Sequence, residues 1–249
     1  FGFSLEGSQA TYLAIVSGLV SFFALYAFFH SLKLHEASLV SPLVGAFNPL
    51  FALMIEWLFL GQILNIAQYL AILVLIIGTI VFTHNQWAHH FRLNRSLSWI
   101  IISGLLFAVS FVLLRQALLQ TSFINGLVVS RLAAGLLAGS LLIMPNIRRQ
   151  VLEHHRNSPL TSRSVLALMI AGQIMGGASG LLIVFGITLA SASLVNSLFG
   201  IQYLAILVIS LILVKKHPHL LDENLTKKTI IQKIFGALII SIGLYLLAK

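Results

Sequence analysis

Long apolar runs, each closed by a short polar cluster, organise this sequence from end to end. A helix rises about 1.5 Å per residue, so about 20 apolar residues cross a hydrocarbon core about 30 Å thick. By that measure the chain predicts eight spanning helices, at residues 11–30, 38–60, 66–82, 97–119, 125–144, 164–186, 191–214 and 230–247. Their boundaries have local causes. Pro145 follows one run and Pro218 another, while Thr83-His84-Asn85-Gln86 cannot stay in hydrocarbon with unpaired polar groups. The runs lack the strict alternation of barrel strands. The expected fold class is therefore all-α, a multi-pass transmembrane helix bundle.

Small residues predict how these helices touch. Gly172, Gly176 and Gly180 recur every fourth residue, and Gly135 and Gly139 share that spacing. Such stripes let helix backbones approach closely, so packing is their expected use.

A repeat underlies the pattern. ASLVSPLVG at residues 37–45 returns as ASLVNSLFG at residues 192–200, identical at six of nine positions. Upstream, the stretch from Tyr26-Ala27-Phe28 to Ser38 lies over Leu181 to Ser193; downstream, Ala71 and Gly78 correspond to Gly236 and Gly243. The runs at 97–119 and 125–144 belong by position to the second copy and have no counterpart ahead of the first. The expected organisation is thus an incomplete first repeat of three helices (1–88), a basic linker (89–96) and a second repeat of five helices (97–249). With Phe1 rather than methionine at its start, the sequence is expected to derive from a parent with five helices in each repeat. An odd number of spans per unit turns the second copy over in the bilayer. Inverted repeats are the architecture of alternating-access carriers, whose substrate sits near the midplane between the halves.

At this point the residues resemble a known family, the drug/metabolite transporter superfamily in its EamA-like branch. The resemblance rests on Tyr26-Ala27 leading to Ala37-Ser38, the Pro49 helix ending in Leu60-Gly61, Gln68-Tyr69-Leu70-Ala71 through Gly78, and Gln232-Lys233-Ile234-Phe235-Gly236 through Gly243. It implies a multi-pass integral membrane transporter, of a prokaryotic inner membrane. The family's usual Gly-Glu after the fourth helix of a repeat is replaced by Gly61-Gln62, and near the matching place by Lys215-Lys216. A role for that acid does not carry over.

Composition agrees with lipid as the solvent. Of the 249 residues 59% are hydrophobic and only 8% charged, with mean hydropathy +1.01, too few polar groups to clothe a water-facing shell. The net charge of +9 sits in short loops such as HHFRLNR (89–95) and KKHPHLLDENLTKK (215–228), where anionic headgroups are the nearest partners. Membrane lipids are therefore expected partners and nucleic acid is not. Loops on the side opposite the termini hold Lys33, Arg92, Arg148, Arg149, Lys215 and Lys227, among others, which places that side in the cytoplasm. The family resemblance implies cytoplasmic termini instead, and orientation stays open between the two. With no cysteine there is no disulfide or thiolate site, and no signal peptide is visible.

Charge inside hydrocarbon costs about 2.5–3.5 kcal/mol on insertion scales, so Glu56 and Arg131 stand out as gating candidates. Near the terminal side, at similar depth, they could pair as a gate, or Glu56 could take up and release a coupling proton. Midplane polar residues are the substrate-cavity candidates: Asn48 beside Pro49 in the first copy, Asn196, Gln202 and Tyr203 in the second, then Gln173 and Tyr26. Pro49 removes a backbone donor and frees a carbonyl one turn earlier, creating a polar spot and a hinge. Most histidines, including His84, His89, His154 and His217, fall in basic loops without carboxylates, so no metal or cofactor is expected. There is no phosphate-binding loop or carboxylate pair, which argues against an enzyme. The expected function is alternating-access transport of a small organic metabolite or drug-like solute, with a proton or other ion as candidate coupling partner and a second copy as candidate neighbour. The alternative is a non-transporting scaffold, or a lipid-headgroup-handling protein, on the same fold.

Overall fold

Backbone amides have no water to bond in a bilayer, so an apolar chain satisfies them within helices. The computed structural model describes residues 8–34, 37–61, 65–67, 70–71, 73–75, 77–78, 81, 95–149, 163–189, 195, 209 and 227–247, and no strand occurs among them. Six helices have defined bounds: α1 (Ser8–Leu34), α2 (Ala37–Leu60), α3 (Arg95–Leu118), α4 (Phe123–Leu141), α5 (Arg163–Leu189) and α6 (Lys227–Leu247). The described residues between 66 and 81 are helical as well. Among the described residues, four segments are long and apolar enough to cross a membrane: Gln9–Leu34, Leu97–Leu118, Phe123–Leu141 and Ile170–Leu189. The predicted span at 191–214 lies outside the described residues apart from positions 195 and 209.

Local chemistry sets several ends. Gly61 follows α2 with φ +63°, the left-handed conformation that ends a helix cheaply only at glycine. Between α3 and α4 the chain turns within a few residues, with the Gln120 and Thr121 amides both donating to the Ala117 carbonyl at 3.0 Å. Ser122 then caps α4, its side chain accepting from the Asn125 amide at 3.3 Å. Hydroxyls inside the spans turn back on their own helices: Ser21 to Gly18 O and Ser31 to Ala27 O, both 2.8 Å. Each would otherwise be an unpaired group in hydrocarbon.

The chain divides into two compact units. The first comprises Phe1–Phe22 and Leu113–Ala190. Within it, α1 backs onto α4 at Gly18, where an added Cβ would strike the Ser130 carbonyl and lie 3.0 Å from Ala133 Cβ. Gly126 lies under Leu118, whose Cδ2 would be 2.6 Å from a Cβ there, and this holds the α3–α4 hairpin tight. By contrast α5 is bare along much of its length, with Ile174 67%, Met175 73% and Leu182 72% exposed. Such apolar exposure suits acyl chains as the neighbour, not water.

The second unit comprises Phe23–Val112 and Ser191–Lys249. Val40, Leu43 and Val44 of α2 pack with Ile100 of α3, and further along Ala52 packs with Ala108 and Val112. The helical residues at 71–78 pack against α6 through Leu75, Ala237 and Ile240. Here glycine decides the approach: a Cβ on Gly78 would lie 2.8 Å from the Ile240 amide nitrogen, and one on Gly243 would lie 2.9 Å from Leu75 Cγ. Contacts 75–243 and 78–240 run in opposite order, so the two segments are antiparallel.

Along the glycine stripes, Gly180 has the Arg131 guanidinium 3.5 Å from an added Cβ. At Gly135, Gly139, Gly172 and Gly176 an added Cβ would meet nothing within 4 Å among the described residues. A missing Cβ permits close approach but does not create a partner, and no described residue fills these positions.

Candidate functional site

A polar stripe runs down α2. Asn48, Ala52 and Glu56 follow at four-residue intervals and share one helix face, 4%, 0% and 0% exposed. Pro49 is also fully buried, and α2 continues through it without a break. A proline there has no N–H to give, which leaves the Gly45 carbonyl without its intrahelical donor. Glu56 is the one acid among the described residues. An enclosed carboxyl and an enclosed amide thus lie two turns apart on one face of α2.

α3 closes over that stripe. At Gly104 an added Cβ would lie 2.7 Å from Phe47 Cβ and 3.6 Å from the Asn48 amide nitrogen, so α3 backbone meets α2 at the Asn48 level. Next to it, buried Ser103 donates to the Ala24 carbonyl of α1 at 3.1 Å. Ser110 is buried seven residues further along the same face of α3. Sequence reasoning missed this pair of serines, although two hydroxyls seven apart in an apolar run are a legible signal of a buried polar face.

Tyr26 occupies a different setting. It is 55% exposed and belongs to a ring cluster near the end of α1, stacked on His30 at 6.2 Å and edge-on to Trp99 at 6.3 Å. His30 and Trp99 are closer still, with centroids 4.7 Å apart. Phe47 and Phe51 stack at 5.9 Å beside the α2 stripe.

Arg131 and Gln173 belong to the first unit, where both are exposed. The Arg131 guanidinium of α4 lies over the α5 backbone, its Nη2 3.5 Å from where a Gly180 Cβ would be. Phe123 and Phe185 join the same two helices edge to face at 5.9 Å. Glu56 lies in the second unit. The candidates Asn196, Gln202 and Tyr203 fall outside the described residues. No cluster of three or more metal-ligating side chains occurs among the described residues.

Helices sized for a bilayer thus carry buried polar groups and, among the described residues, a cation in mid-span. No curated protein matches the chain. Its first third, residues 2–83, matches the model of the EamA-like transporter family, part of the drug/metabolite transporter superfamily, which bears out the resemblance over that segment and, with the apolar helices, fits an integral membrane protein.

Proposed function

We propose that this protein is a secondary carrier that moves a small organic metabolite by alternating access between two inverted repeats. The observation that carries this reading is the reciprocal contact in the second unit. By sequence Leu75 and Gly78 correspond to Ile240 and Gly243, 165 positions on (240 minus 75, 243 minus 78). Gly78 lies against Ile240, and Gly243 lies against Leu75. Each contact is thus the other with its partners exchanged, the pattern of a two-fold-related interface. The antiparallel course of the two segments fits copies that run oppositely across the bilayer.

In this reading the α2 stripe forms part of the substrate path. Asn48 supplies an amide to the solute, Pro49 a bend about which α2 can flex, and Glu56 a group that takes up and releases a coupling proton. Asn196, Gln202 and Tyr203 contribute the second copy's share.

The test uses the full-length protein in proteoliposomes. A carrier gives saturable counterflow with at least one member of a panel of amino acids, organic acids and organic amines. The chain has no native cysteine, so Asn48→Cys provides a clean reporter. Alternating access exposes it to a membrane-impermeant maleimide from either side in turn. Absence of counterflow together with a cysteine that reacts from neither side would leave the scaffold reading in its place.

A further inference from the structure

Arg131 is the ninth residue of α4, so it lies about 12 Å in from Phe123 and about 15 Å from Leu141. That is the middle of the span. Arginines in membranes commonly extend along their helix to reach headgroups, but this one does not. Its guanidinium rests beside Gly180, nine residues and about 14 Å from the Leu189 end of α5. The positive charge is therefore held at mid-depth.

Among the described residues of its own unit there is no acid to neutralise it. The acids within that unit's sequence, Glu6 and Glu153, lie outside the described residues. Within the unit, among the described residues, no side chain or carbonyl accepts a hydrogen bond from the guanidinium. A charge at this depth costs about as much as a well-packed core side chain contributes, and it persists where it has a task.

Among the described residues, the surroundings of the guanidinium are open on one side. α4 and α5 touch through Phe123 and Phe185, then through Arg131 and Gly180. One turn beyond lie Gly135 and Gly176, and two turns beyond Gly139 and Gly172, with nothing among the described residues within 4 Å of an added Cβ at any of them. The helices do not close on each other past the arginine. Gln173, seven residues before Gly180 and so on the same face, is exposed about 10 Å farther along.

Building on the carrier reading, we propose that Arg131 anchors a carboxylate of the transported solute in the space between α4 and α5, which makes the substrate class a small organic anion. A guanidinium offers a carboxylate two parallel hydrogen bonds, and binding removes the uncompensated charge. Gly180 permits this by leaving space for the guanidinium beside α5. Gln173 is placed to hold a second polar group of an elongated solute.

The experiment measures thermal stabilisation of the full-length protein in nanodiscs by acetate, benzoate and succinate, each against its uncharged amide, beside counterflow of the same probes. At least one carboxylate is expected to stabilise wild type where its amide does not. Arg131→Gln should weaken that carboxylate about ten- to a hundredfold, and Arg131→Lys less. Gly180→Leu, which fills the guanidinium's place and leaves the charge, should weaken it as Arg131→Gln does. Without ligand, Arg131→Gln should melt higher than wild type; a residue in a structural ion pair would melt lower. The proposal is overturned if no carboxylate outperforms its amide, if Arg131→Gln binds as wild type, or if that variant melts lower. Arginine-dependent binding without counterflow would sustain the anion site and remove the carrier reading. Counterflow of neutral solutes alone, indifferent to Arg131→Gln, would do the reverse.

Discussion

Gly243 and Leu75 meet so closely that a single added methyl on the glycine would sit 2.9 Å from Leu75 Cγ, and Gly78 stands in the same relation to Ile240. Lipid tails are as apolar as leucine, so these helices gain little from hydrophobic burial against each other. What holds them is fit, and fit fails when volume is added.

Gly243→Val should therefore cost about 1–3 kcal/mol, as overpacking does elsewhere. Gly135→Val, at an open position, should stay within about 0.5 kcal/mol of wild type. Unfolding in mild detergent compares the two, and equal losses would show that the contact at residue 75 is not tight.

Pro49 leaves the Gly45 carbonyl without its helical donor inside a buried stretch of α2. Pro49→Ala restores that bond. It should stabilise α2 by about 1 kcal/mol or more and slow counterflow, since the bend the carrier reading uses has been stiffened. A variant that is more stable and equally fast would remove the hinge role.

Glu56 sits 0% exposed at the foot of the Asn48 stripe. Glu56→Gln keeps its shape and abolishes its titration. Uptake driven by a proton gradient should be lost, while counterflow, which needs no gradient, should continue. If gradient-driven uptake persists with its pH dependence intact, Glu56 carries no proton.

Ser103 bridges α3 to the Ala24 carbonyl of α1 at 3.1 Å, whereas Ser31 bonds only within α1. Ser103→Ala should cost about 0.6 kcal/mol, the mean for interhelical bonds in membranes. Ser31→Ala should change stability less, as measured by the same unfolding assay.

Hydropathy located the described helices well because lipid imposes one requirement on every span. The run at 38–60 became Ala37–Leu60, and 97–119 became Arg95–Leu118. Ends moved where helix and hydrocarbon part company. α1 extends to Leu34, past the expected His30, because a helix continues into the headgroup region. α4 stops at Leu141 although Ile143 and Met144 are apolar, since Pro145 draws the chain into turns. The candidate site was less legible. Glu56 and Arg131 were visible as misplaced charges, but the neighbour of each depends on tertiary packing. Likewise Gly78 and Gly135 read alike in a sequence, and among the described residues only Gly78 has a helix against it.

The α3–α4 turn, from Leu119 to Ser122, bears on how the protein is made. A connection this short leaves nothing for the translocation machinery to pass across the bilayer as a separate event. α3 and α4 must leave the insertion channel together as a preassembled pair. Lengthening the turn with a glycosylatable loop should uncouple them, and the order in which each span then acquires its lipid surroundings would become visible in synthesis intermediates.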